Sequence, residues 1–237
     1  MTRANGLRRF VTAESALPFT IGGSNPLGTR KPLGEVCEMC GVDITDEHPH
    51  VVNIEARSLQ CTCRPCYLLF APEGAGRGRY LAVPERYLTD DDSDISEGQW
   101  EELQVPVGMA FFFENSVLGH VVAQYPSPAG ATESLLDLVA WQQIVAGNRL
   151  AAALLPDVEA LFVHRSRDGN KTFLVPIDVC YELVGRMRMH WTGFDGGAEA
   201  RQDVEQFLER LRSRSRPLPA VESDSRSLKA ESRAGHG

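Results

Sequence analysis

Two cysteine clips, "CEMC" at 37–40 and "CRPC" at 63–66, constrain this chain more than any other feature. Two residues between ligands let the backbone curl so that both sulfurs face one point about 2.3 Å away, the zinc–thiolate distance. Two such clips, separated by 22 residues, give the four thiolates that a closed tetrahedral site requires. The candidate ligands are therefore Cys37, Cys40, Cys63 and Cys66. Gly41 follows the first clip, where a knuckle needs a tight turn.

The segment between the clips sharpens this reading. "HVVNIE" and "SLQCTC", separated by "AR", have the composition of two β-hairpin arms, and the second clip then leads into a helix. Pro65 suits the first position of that helix, where a missing N–H costs nothing. The dipole of such a helix is expected to favour the thiolate forms of Cys63 and Cys66. A knuckle, a hairpin and a clip at a helix start make a treble-clef or zinc-ribbon module.

Iron in a rubredoxin-type site is the alternative to zinc. Rubredoxin clips form equivalent knuckles, each followed by glycine, whereas Tyr67 follows the second clip here. Zinc is the expected metal.

Three more residues near the clips can ligate. Cys61 lies two before Cys63, on the same side if both are in a strand. It can replace Cys63, act as a reserve thiol or serve as a small buried residue, and the last is expected. His48 and His50 can hold a second metal such as nickel, but a structural or exposed pair is the expected reading.

Length and composition set the rest. With 237 residues, 43% of them hydrophobic, the chain can bury a sizeable core. A net charge of −8 opposes nucleic acid as the main partner, because phosphate binding needs a basic face. Arg57 and Arg64 are too few to make the module a nucleic-acid-binding regulator. No apolar run is long enough to span a membrane. The N-terminus has a paired arginine at 8–9 but no apolar stretch to make an export signal. A cytoplasmic location is expected, where paired CxxC clips favour metal over disulfides.

Beyond the module, the acidic run at 90–102 reads as a solvated loop in which Ser96 caps a short helix. Residues 105–116 and 119–127 suggest an antiparallel pair, and "YPSPAGATES" reads as a loop. A helix is expected over 134–147, with Leu135, Leu138 and Val139 among its apolar positions, and a second short one ends at Pro156. "VEALFVHRSRDGNKTFLVPI" reads as a hairpin turning at "RDGN". A helix capped by Asp178 follows, broken at "TGFDGG", and then a final helix. Cys180 is expected in the core, and His120, His164 and His190 are read as structural.

The chain lacks GxSxG, HExxH, Walker and dinucleotide motifs, so no catalysis is expected. The fold class is α+β. An irregular arm over 1–34 leads to the metal module at 35–80, then a mixed antiparallel-sheet and helix domain at 81–212 and a disordered tail over 213–237.

Three segments, "CEMCGVDITDEHPHVVNIEARSLQCTCRPCYLLF", "YPSPAGATES" and "FLVPIDVCYELVGRMRMHWTGFDGGAEARQDVEQFLERL", resemble a bacterial family of proteins of unknown function encoded near uptake nickel–iron hydrogenase genes. The resemblance implies an accessory role in hydrogenase maturation or assembly, with a hydrogenase subunit or maturation factor as protein partner. A zinc scaffold and an iron electron carrier both fit that role. Only the cysteine clips carry over as site residues.

Overall fold

A computed structural model describes residues 8–9, 34–166, 169–193 and 196–219. It contains two sheets. The smaller belongs to the cysteine module and combines β1 (Arg8–Arg9), β2 (His50–Asn53), β3 (Ser58–Cys61) and, after the short helix α1 (Arg64–Leu68), β4 (Tyr80–Ala82). Its order is β1-β3-β2-β4, antiparallel throughout. The fourth strand straddles the boundary expected at residue 80.

The larger part of the chain supplies β5 (Leu88–Thr89), α2 (Glu97–Glu102), β6 (Met109–Asn115), β7 (His120–Ser127), β8 (Gly130–Ser134), α3 (Leu138–Gly147), α4 (Arg149–Ala152), β9 (Glu159–Ser166), β10 (Gly169–Pro176), α5 (Ile177–His190), α6 (Gly197–Arg214) and β11 (Arg216–Pro217). Seven strands form one sheet in the order β11-β5-β10-β9-β6-β7-β8. All neighbours are antiparallel except β11 with β5.

The apolar runs "AFFF", "ALFV" and "FLV" explain why this sheet is covered on both faces. Side chains alternate along a strand. Phe111, Phe113, Phe162, Phe173 and Val175 therefore face α5 and α6, through Cys180, Leu183, Phe207 and Leu211. Phe112, Leu161, Val163 and Leu174 face the other way, onto Trp100 of α2, Trp141 and Ile144 of α3 and Leu150 of α4. The module joins the first of these layers, because Val52 and Leu59 lie in the same apolar cluster as Phe111 and Leu183.

Several expectations hold locally. Ser96 caps α2 in a reciprocal box with Gln99. The β9–β10 hairpin is present, although its turn residues 167–168 lie outside the described residues. Cys180 is buried. Gly196 and Gly197 both take positive φ, and a Cβ on Gly197 would stand 2.2 Å from Thr192 Oγ1, so glycine is required at this entry to α6.

Others need correction. "YPSPAGATES" is a tight hairpin, with β7 running to Ser127 and β8 starting at Gly130. Pro126 is tolerated because β7 pairs there with β8 alone, beyond the last residue matched to β6. Helix α3 begins after Asp137, whose carboxylate accepts from Val139 and Ala140 N–H groups, so Leu135 precedes it and is 92% exposed. Asp178 is not an N-cap: α5 starts at Ile177, and the carboxylate turns toward the module. Order also continues past 213, since α6 runs to Arg214 and β11 pairs with β5. Backbone pairing needs no apolar side chains, which is why composition alone misplaced the end. The arm at 1–7 and 10–33 and the tail from 220 lie outside the described residues.

Candidate metal centre

The module has the three parts of a treble clef. Cys37 and Cys40 form a knuckle in which Gly41 N–H donates to the Cys37 carbonyl at 2.8 Å. Gly41 has φ +79, a conformation costly for any residue with a Cβ. The β2–β3 hairpin then carries the chain back, and Cys63 stands as N-cap of α1, with Pro65 in its first turn. The knuckle is tied to the hairpin by two hydrogen bonds, from Glu38 N–H to the Cys61 carbonyl at 2.8 Å and from Cys61 N–H to Glu38 Oε2 at 2.9 Å.

This arrangement brings the sulfurs of Cys37, Cys40, Cys63 and Cys66 within 4.8 Å of one another. Cys40 Sγ and Cys63 Sγ are 3.6 Å apart, against about 3.8 Å for sulfurs bound 2.3 Å from a tetrahedral ion. None of the four is in a disulfide. The donor set fits a metal ion of thiolate preference, zinc or iron.

Burial opposes ionisation of Cys37, yet backbone groups of Cys63, Cys40 and Met39 directed at its sulfur bring its pKa down to about 6. Cys66 moves the other way, pushed up to about 12 by burial and by its hydrogen bonds with Cys63, Cys40 and Cys37. The expected helix-dipole effect on Cys66 is thus outweighed; α1 has only five residues. Four thiols this close cannot all ionise together unless a cation sits among them.

Cys61 does not join this cluster. Strand β3 ends at Cys61, so the alternation that would align it with Cys63 is broken at Thr62. Instead Cys61 lies opposite His50 across β2–β3, and one donor atom from each of His48, His50 and Cys61 falls within 4.8 Å of the other two. His50 Nδ1 is 2.8 Å from Asp178 Oδ2, linking the module to α5. Burial works against charge on His50, but Asp178 and Cys61 beside it carry its pKa up to about 9.

Sequence reasoning missed this second grouping because it took "AR" as the hairpin turn, which would set His50 opposite Cys63. The turn is four residues, Ile54 to Arg57, with Arg57 at φ +48 and its N–H donating to the Ile54 carbonyl. That shifts the register by two. Asn53, whose Oδ1 accepts from Ala56 N–H, was the available signal for an earlier turn.

The other histidines among the described residues stay apart from both clusters. His190 Nδ1 meets Asp203 Oδ2 at 2.6 Å, His120 Nδ1 lies 3.1 Å from the Leu118 carbonyl, and burial lowers the pKa of His164. No helix among the described residues is long and apolar enough to cross a membrane.

Compared with known proteins, residues 36–215 match the model of DUF5947, a family of unknown function. No curated protein and no solved structure matches the chain.

Proposed function

The chain belongs to the DUF5947 family of unknown function, and from that premise we propose that it is a non-catalytic, zinc-clipped accessory protein of the cytoplasm. Its role in this reading is to dock on a subunit or maturation factor of a nickel–iron hydrogenase during assembly. The observation that carries the metal assignment is the convergence of Cys37, Cys40, Cys63 and Cys66 within 4.8 Å. Four thiolates fill a tetrahedral ion's coordination and leave no position for substrate. Zinc is favoured over iron because the second clip opens a helix and is not a second glycine-terminated knuckle.

The hydrogenase assignment rests on the resemblance of the cysteine, "YPSPAGATES" and C-terminal segments to the hydrogenase-associated family. A docking role draws support from Leu68 and Leu69, exposed apolar residues at the end of α1, directly after the second clip. The test is affinity capture of the intact chain from bacteria assembling a nickel–iron hydrogenase. Recovery of a hydrogenase subunit or maturation factor in near-stoichiometric amount is expected. Recovery of folded, metal-loaded protein with neither would overturn the hydrogenase assignment.

A further inference from the structure

We propose that His48, His50 and Cys61 form a second metal site, separate from the tetrathiolate, for a divalent transition ion of borderline softness such as Zn2+ or Co2+. His48 Nδ1 lies 2.8 Å from the Thr45 carbonyl, which can only accept, so Nδ1 carries the hydrogen and the neutral ring presents a lone pair at Nε2. His50 Nδ1 likewise faces the Asp178 carboxylate at 2.8 Å, which turns Nε2 toward the near side. Both rings are thus oriented by partners on the far side, the arrangement that positions histidines at metal sites.

On the near side, one donor atom from each of His48, His50 and Cys61 converges within 4.8 Å of the others. His48 Nε2 is buried without a hydrogen-bond partner, on a side chain only 6% exposed. Leaving a polar atom so placed is costly. A cation at the centre, displacing the protons that the rings and the thiol carry without it, takes both nitrogens and the thiolate together. Two neutral imidazoles and one thiolate suit a borderline ion better than calcium or magnesium, which prefer oxygen.

The backbone supports the same geometry. His48 and His50 are two apart on the approach to β2, and His50 pairs directly with Cys61 on β3, so the ligands share one face of the hairpin. Thr62 anchors the other end, donating from its N–H at 3.0 Å and its hydroxyl at 2.8 Å to the Pro49 carbonyl. Glu35 Oε2 stands 3.5 Å from His48 Nε2, a carboxylate at the edge where a fourth donor belongs. Consecutive odd residues of one segment then serve two centres: Cys61 the second, Cys63 the first.

The test exposes the full-length protein to excess Co2+, removes unbound metal by gel filtration and counts all metals per chain. Two are expected in the wild type, with a thiolate-to-cobalt absorption from the second site, and one in Cys61→Ala, with that absorption gone. Because Cys61 sits inside the sheet, His48→Ala, outside the strands, is the second variant and must also lower the count to one. Asp178→Asn is expected to weaken cobalt binding about 10–100-fold, the usual cost of losing a partner that orients a ligand histidine. No Cys61-dependent cobalt absorption in the wild type, or absorption unchanged in Cys61→Ala, would overturn the site. The result is independent of the tetrathiolate reading, since Cys40→Ser removes the first metal and leaves the Cys61-dependent cobalt signal.

Discussion

Glu159 has no solvent exposure, yet its carboxylate accepts from Arg86 Nε and Nη2, at 2.5 and 2.7 Å, and from the Leu155 N–H at 2.9 Å. Arg86 also donates to the Ala153 carbonyl at 2.8 Å. The partners are unequal, because the Arg86 side chain is 40% exposed and can rehydrate while Glu159 cannot. Arg86→Ala is therefore expected to cost about 3–5 kcal/mol, the penalty for orphaning a buried charge, and Glu159→Ala clearly less. Urea midpoints of the two variants measure this; equal losses would contradict the asymmetry. At the metal centre, Gly41 is the residue whose backbone matters most. Gly41→Ala meets no neighbour within 4 Å, so its cost is the strain of φ +79 alone, about 1 kcal/mol, seen as a small midpoint shift with metal content unchanged.

At the scale of elements, the sequence revealed what depends on local chemistry and hid what depends on pairing. The clips, the Gly41 knuckle, the Ser96 cap and the β9–β10 hairpin were all legible, since each needs only neighbours in the chain. The second cluster was not, because it turns on whether the β2–β3 turn has two residues or four. Asp178 was read as a cap from its place before an apolar helix, but its partner His50 is 128 positions away. The end of the fold was hidden for a similar reason. Strand β11 consists of Arg216 and Pro217 and is held by Arg216 N–H to the Tyr87 carbonyl at 3.0 Å and Leu218 N–H to the Thr89 carbonyl at 2.8 Å. Arg214 lies over the Tyr87 ring, 4.3 Å from its centroid. Ending the chain after Ser215 is expected to cost about 2 kcal/mol, from two backbone hydrogen bonds at roughly 1 kcal/mol each. A thermal midpoint unchanged by that truncation would mean that β11 contributes nothing to the sheet.

For the whole molecule, the metal module and the seven-stranded sheet share one apolar layer, in which Val52 and Leu59 pack with Phe111, Phe173 and Leu183. Tyr67 of α1 adds a hydrogen bond to the Val83 carbonyl at 3.0 Å, and His50 reaches Asp178 on α5. Stripping the metal with a chelator is therefore expected to lower the unfolding temperature of the entire chain in one transition, because metal binding at such a site is folding free energy. Two separate transitions would mean that the module folds on its own. The metal assignment is tested by the metal content and visible spectrum of the chain, purified without oxygen from cells supplied with both iron and zinc. At least one firmly held zinc per chain, lost in Cys37→Ser, and no visible absorption are expected. Iron in its place, with a red chromophore that bleaches on reduction, would contradict it and make the protein an electron carrier.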